Sequence, residues 1–373
     1  MAFSLPSDGT YRTGGARSLS VMSSTARFSR VALGTTLFLV GLGGFTRGSG
    51  SGYGCADRWP LCEDGLLGGL LPRAEYHMVI EWTHRWVAAI VGLLVLGTAV
   101  SVWRNHRQRA ALVRTAVAAV VVVGVQAWIG RMVVKADLDA DLVVLHLAIS
   151  MVVVGLLTLV AVATSPEGEP AEGFVYPAAI KYPAGIKRNR DLDASHLSFL
   201  RRCGIPTMEE LWVIGNKLNI DHKTRMEAEA NASWSTHLAV AAGGSYVLLL
   251  LGAYVHNMFF SGWPLVGNEL VPDLSNSYTA VHFTHRLVAG LGLVYLVYLT
   301  RAAGRNGRPP IERRLLHAAT GLYAVNVALG AVHVFTEVSW SGVVATHLLV
   351  AGMVWTCLLA ATALSRPTPV PSG

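Results

Sequence analysis

Glu81-Trp82-Thr83-His84-Arg85-Trp86-Val87-Ala88 is matched 201 residues later by His282-Phe283-Thr284-His285-Arg286-Leu287-Val288-Ala289. His146 and His347 keep the same offset, so the spacing from His84 to His146 equals that from His285 to His347, 62 residues in each copy. Gln126-Ala127-Trp128-Ile129-Gly130 parallels Asn326-Val327-Ala328-Leu329-Gly330, and Trp-Pro-Leu occurs at both 59–61 and 263–265. Self-similarity at a fixed offset means that one structural unit occurs twice.

The chain around these motifs is built for lipid. Of its 373 residues, 52% are apolar and 14% charged, with mean hydropathy +0.45. A soluble globular chain carries about a quarter charged residues. The net charge of +7 does not point to nucleic acid, because the basic residues fall between apolar runs. A span needs roughly 20 apolar residues, and eight such runs are expected at 28–46, 78–102, 112–134, 141–163, 236–258, 280–300, 313–335 and 342–364. The fold class is therefore all-α integral membrane, with eight transmembrane helices in two four-helix bundles. Each copy has an even number of spans, so the copies share an orientation and a pseudo-twofold axis along the membrane normal.

Loop charge sets the expected orientation. Arg12, Arg17, Arg27 and Arg30 precede span 1; Arg104, Arg107, Arg109 and Arg114 flank the 2–3 loop; Arg301, Arg305, Arg308, Arg313 and Arg314 flank the 6–7 loop. The alternate loops carry Asp57, Glu63, Asp64 and Glu75, then Asp137, Asp139 and Asp141, then Glu269 and Asp273. By the positive-inside bias both termini face the cytoplasm, and the loop with Cys55 and Cys62 faces outward in the plasma membrane. The basic first residues fit an organellar transit peptide or a cytoplasmic tail, and the tail is the reading adopted. The organisation is a tail at 1–27, a first bundle at 28–164, a proline-bearing polar linker at 165–235 in which Met208–Ala230 suits a surface helix, a second bundle at 236–365, and a tail at 366–373.

His84, His146, His285 and His347 lie five to seven residues inside the same boundary, roughly 8–10 Å deep at the helical rise per residue. Paired imidazoles on facing helices suit the two axial positions of an iron porphyrin. Zinc would ask for a third or fourth ligand, and none recurs in both copies. A proton relay would not require matched depth. Arg85 and Arg286, each one residue after a histidine, are candidate propionate contacts, or else arginines snorkelling at a span end. The copies differ at one telling position: Glu81 stands where the second copy has His282. Glu81 and His84 share a helix face at i, i+3, and a carboxylate beside a porphyrin edge can move protons or stabilise positive charge. Cys55 and Cys62 flank a loop over the first site only, where an oxidising exterior permits a disulfide, as a staple or as a redox pair. Cys203 and Cys357 read as reduced thiols.

Gly43-Gly44-Phe45-Thr46-Arg47 followed by Gly-Ser-Gly, then Cys55 with Trp59-Pro60-Leu61-Cys62, then Glu81-Trp82-Thr83-His84-Arg85, resembles the heme A synthase family, the prokaryotic type with a cysteine pair in its first outer loop. The resemblance implies oxidation of the C8 methyl of heme O to a formyl group by successive water-derived hydroxylations, supplying heme A to terminal oxidases. It implies heme b held by His285 and His347, substrate heme at His84 and His146, catalysis by Glu81, and a Cys55–Cys62 disulfide. It also implies heme O synthase and terminal oxidase assembly as partners, an electron acceptor the sequence does not name, and no nucleic acid. The long 165–235 segment departs from the short linker expected of the family. Two rivals share some of these features: a diheme b-type electron-transfer cytochrome, and a repeat transporter without heme.

Overall fold

The computed structural model describes residues 23–62, 65–165, 222–255, 269 and 271–365. Eight long helices account for most of them: α1 Ser24–Gly48, α2 Tyr76–His106, α3 Ala110–Lys135, α4 Ala140–Ala163, α5 His222–Val255, α6 Ser277–Arg305, α7 Pro310–Phe335 and α8 Ser341–Leu364. Each is long and apolar enough to cross a membrane, α5 over Asn231–Val255. Among the described residues there is no strand, only isolated bridges such as Leu66 with Leu71. The protein is a multi-pass membrane protein. Its large exposed side chains, among them Leu93, Val121, Val247, Leu291 and Val294, are those of lipid-facing helices.

The eight expected spans are all present, with one start displaced. Helix α5 begins at His222, ahead of the 236 expected. The polar stretch before the apolar run contains Lys223, Arg225, Met226, Glu227, Ala228 and Glu229, all good helix formers, so the helix continues into it. The last residues assigned to a separate surface helix are therefore part of α5. Cys203, Trp263-Pro264-Leu265, both chain ends and residues 166–221 lie outside the described residues.

Local chemistry ends the helices. Ser23, Asp139 and Asn276 accept from backbone N–H groups in the first turns of α1, α4 and α6, satisfying donors that the helix leaves open. Asp137 and Leu138 turn α3 into α4 with positive φ, 51° and 60°. Glu337 and Val338 turn α7 into α8 at 51° and 58°. Even the closing bonds repeat, Leu138 N–H to Val133 O at 2.9 Å and Val338 N–H to His333 O at 3.0 Å.

Each half has its own core. Ala32, Val91, Val95, Ala119, Val153 and Leu157 join α1 to α4. Leu238, Leu296, Leu299, Leu316, Ala319, Val354 and Leu358 join α5 to α8. A third cluster, Val40, Met151, Val154, Leu249 and Trp355, lies on the seam where α1, α4, α5 and α8 meet. The helix pairs that cross the seam are α1 with α8, α4 with α5, and α4 with α8. Gly41, Gly44 and Gly48 form a stripe on α1 against α8. A Cβ on any of them would lie 3.2 Å from Leu349, Leu348 or Val344. Small residues let backbones approach in lipid, where packing rather than water expulsion drives helix association.

At the end of the second half away from its paired histidines, Glu312 is 1% exposed. It accepts from Trp234 Nε1 at 3.1 Å and from Arg308 Nε at 2.8 Å. Arg308 also donates to Asn231 and lies over the Trp234 ring. This network ties α5 to the α6–α7 connection.

Candidate functional site

His84 and His285 each stand eight residues after the first residue of their helices, α2 and α6. His146 and His347 each stand six after the first residue of α4 and α8. All four are half-buried. Within each half the two imidazoles lie inside electrostatic range of one another, His84 with His146 and His285 with His347.

Every one of these imidazoles faces a glycine on the helix beside it. A Cβ on Gly43 of α1 would lie 3.3 Å from His84 Nε2, and one on Gly130 of α3 would lie 3.0 Å from His146 Cε1. In the second half, Gly252 of α5 would place a Cβ 2.9 Å from His285 Cε1, and Gly330 of α7 one 3.5 Å from His347 Cε1. The same helix of each half, first or third, supplies the glycine for the corresponding histidine. The glycines leave room for the imidazole rings where a side chain would otherwise reach.

This donor set fits an iron porphyrin. The Nδ1 atoms of His285 and His347 are buried without a hydrogen-bond partner among the described residues, and a buried imidazole nitrogen left unpaired is costly unless something binds nearby. Among the described residues no group of three or more His, Cys, Asp or Glu could hold a bare metal ion. Two nitrogens per site complete iron when the porphyrin supplies the other four ligands.

The first site has a roof that sequence spacing did not reveal in detail. Cys55 and Cys62 form a disulfide and pack, both buried, on Met78 and Trp82. Glu81, 3% exposed, accepts from the Cys55 backbone N–H at 2.7 Å. Its other oxygen accepts from Arg85, one turn further along α2. Arg85 also donates to the carbonyls of Arg58 at 2.7 Å and Pro60 at 3.1 Å. Glu81 and Arg85 together therefore clasp the disulfide loop to α2. Gly54 lies so close to the His77 carbonyl that a Cβ has no room. At the loop's far side, Lys135 Nζ donates to Asp57 at 2.9 Å. That bond holds the exposed Asp57 carboxyl below its ordinary range.

In the second site His282, buried at the position equivalent to Glu81, lies within electrostatic range of His285. His333, on α7, sets its ring edge-on to His347 with centroids 5.1 Å apart. Sequence reading missed His333, because the repeat places Val133 at its counterpart. It also missed that Gln126 reaches His146: the amide nitrogen lies 3.0 Å from Nδ1 and 3.1 Å from Nε2. The structure sets Glu81 against the Cys55–Cys62 loop and brings the two histidines of each half near one another. Arg85 is engaged with Glu81 and the loop, and Arg286 is half-buried beside His285.

Fold and site define a polytopic membrane protein of two similar halves, each presenting paired imidazoles within a helical bundle. Residues 26–184 and 203–359 match the COX15-CtaA family of cytochrome oxidase assembly proteins, and the chain belongs to that family. It is 29% identical to the heme A synthase of Symbiobacterium thermophilum over 293 residues, 78% of each chain. It is 25% identical to the heme A synthase of Listeria welshimeri over 327 residues, 85% of this chain and 89% of the relative. Over a shorter stretch of 116 residues, 31% of this chain and 37% of the relative, it is 35% identical to the heme A synthase of Bacillus licheniformis.

Proposed function

We propose that this protein is a heme A synthase, an oxidoreductase that converts the C8 methyl of heme O to the formyl group of heme A. Family membership and the names of its relatives support the activity. Glu81 carries the division of labour: a buried carboxylate beside one imidazole pair, and a histidine at the same place beside the other. In this reading His84 and His146 bind the substrate heme. His285 and His347 would hold a resident heme b, which would supply one-electron transfer when bound. Arg286, and Arg85 beyond its present partners, are the candidate propionate contacts.

Turning a methyl into a formyl group with water as the oxygen source releases four electrons and four protons. Breaking one methyl C–H bond with loss of two electrons and one proton leaves a CH2 cation conjugated to the ring, the electrons going to the acceptor. The Glu81 carboxylate, fixed by Cys55 N–H and Arg85, is a preorganised counter-charge of the kind that stabilises such a carbon. It is also a base for the proton of attacking water. The loop over the site keeps the reacting edge from bulk solvent. Electrons pass to an external acceptor. The protein resides in the plasma membrane with both termini cytoplasmic and the disulfide loop outside. It works beside heme O synthase and feeds assembly of terminal oxidases.

Co-expression with a source of heme O, followed by chromatography of the extracted hemes, tests the reading. Heme A is expected from the native chain, and loss of conversion from Glu81→Gln with heme b retained. Heme B alone in both sites would mark a diheme cytochrome instead.

A further inference from the structure

The two halves differ at the end away from their paired histidines. Gly43 of α1 and Gly252 of α5 each face a histidine, and Val40 and Leu249 both lie in the seam. Both pairs are 209 residues apart, which puts Phe28 of α1 in the place of His237 on α5. The offset of 201 between α2 and α6 puts Gly97 in the place of Tyr298. In the first half this place is closed: a Cβ on Gly97 would lie 3.7 Å from the Phe28 ring. In the second half it is a cavity of about 620 Å³, lined by Asn231, Trp234, His237, Tyr298, Asn306 and Arg308 among others. Tyr298 stands thirteen residues along α6 from His285, roughly 20 Å at the helical rise.

The size suits a small organic ligand, and the lining says which kind. Its walls are flat and aromatic. Tyr298 stacks on Tyr295 with centroids 6.3 Å apart and planes 15° from parallel, and Trp234 is buried at the back. Its free polar groups are neutral. His237 Nδ1 lies 2.9 Å from the Tyr295 hydroxyl, and Asn231 and Asn306 add amides. Arg308 is already paired with Glu312, through Nε at 2.8 Å and Nη2 at 3.2 Å. An anionic lipid headgroup would therefore find its counter-charge taken. His237 and Tyr298 are exposed on the lipid-facing surface, whereas Asn306 and Arg308 belong to the α6–α7 connection. The cavity thus opens to lipid and ends at the polar boundary.

A flat ring with two carbonyl oxygens on an apolar tail matches aromatic walls, neutral hydrogen-bonding groups and an opening to lipid. We propose that the cavity seats a lipid-soluble quinone, and that this quinone is the acceptor of the electrons taken from heme O. The inference rests on the reading of the protein as a heme A synthase. In the first oxidation a methyl C–H bond breaks and a C–O bond to water forms, releasing two electrons and two protons. One quinone takes up two electrons and two protons and leaves as quinol. The second oxidation, hydroxymethyl to formyl, repeats the exchange, so two quinones account for all four electrons and four protons. His237, with Tyr295 behind it, is the residue that would hydrogen-bond a ring carbonyl and hand it a proton.

The test is photolabelling of the purified full chain with an azido-substituted decyl-benzoquinone, followed by peptide mapping. Label is expected on the peptides carrying His237 and Tyr298, displaced by excess decylubiquinone and not by phosphatidylglycerol. His237→Phe with Tyr298→Gly copies the pair of the first half and is expected to cut labelling about tenfold. Tyr295→Phe keeps the ring but removes the partner of His237, and is expected to cut labelling about three- to tenfold. It carries the test if the double variant does not fold. In turnover with heme O, each variant should raise the KM for decylubiquinone. Label on other peptides, displacement by phosphatidylglycerol instead of quinone, or unchanged labelling in the folded variants would overturn the proposal. So would heme A formed with ferricyanide as acceptor but not with decylubiquinone. Specific labelling without heme A from any acceptor would uphold the quinone site, and overturn its acceptor role together with the heme A synthase reading.

Discussion

The backbone N–H of Cys55 donates to Oε2 of Glu81 across 2.7 Å. A loop residue thus fixes one oxygen of a helix carboxylate, and Arg85 fixes the other while holding the carbonyls of Arg58 and Pro60.

Arg85→Leu removes the partner of a carboxylate that is 4% exposed. Breaking a buried pair from one side costs about 3–5 kcal/mol. Thermal inactivation in detergent should shift down by several degrees and conversion of heme O should fall. Arg85→Lys should recover only part of both, since an ammonium cannot match the planar fork of donors.

Gly44→Leu should separate the halves. A Cβ at Gly44 already lies 3.2 Å from Leu348 and 3.3 Å from the Ala345 Cα, whereas Gly34 on the same helix has nothing within 4 Å. Size-exclusion profiles and melting in detergent should worsen for Gly44→Leu and stay unchanged for Gly34→Leu. Equal behaviour would remove the stripe's role in the seam.

Gly130→Val and Gly252→Val should each displace one imidazole, His146 or His285. Pyridine hemochrome titration is expected to show one heme lost per variant, of different type in the two. Gly124→Val, at a site with open space, should keep both hemes. If neither of the first two variants lost heme, these histidines would not be the ones that hold it.

The Asp57–Lys135 bond gives the loop a weak pH dependence. The folded-state carboxyl is held below its unfolded value of about 3.9. Its contribution is therefore complete above that value and disappears as pH falls through the lower, folded one. Both groups are exposed, so the effect is small. Asp57→Asn should exchange loop amides slightly faster than native protein at pH 7, and at the same rate once the native Asp57 carboxyl is protonated.

The eight helices were legible because lipid demands long apolar runs, and runs are visible in sequence. The four histidines were legible because their spacing repeats. What escaped were contacts that leave no trace in residue type. The bond from Cys55 to Glu81 uses a backbone donor that any residue could supply. Gly252 looked like an ordinary glycine of an apolar helix, and Gly43 stood only as part of a motif, until their neighbours across the bundle were known. Gln126 stood out only as a marker of the repeat, and its link to His146 depends on how α3 is rotated against α4. Helix α5 began early because its polar first turns are built from strong helix formers, which hydropathy alone does not register.

Two copies of one unit within a single chain have an evolutionary consequence. A homodimer of separate halves would have to carry the same residue at both equivalent positions, since every change is inherited twice. Covalent joining lifts that constraint. Glu81 and His282 occupy matching places on α2 and α6 yet are free to diverge, so each bundle can take on its own chemistry.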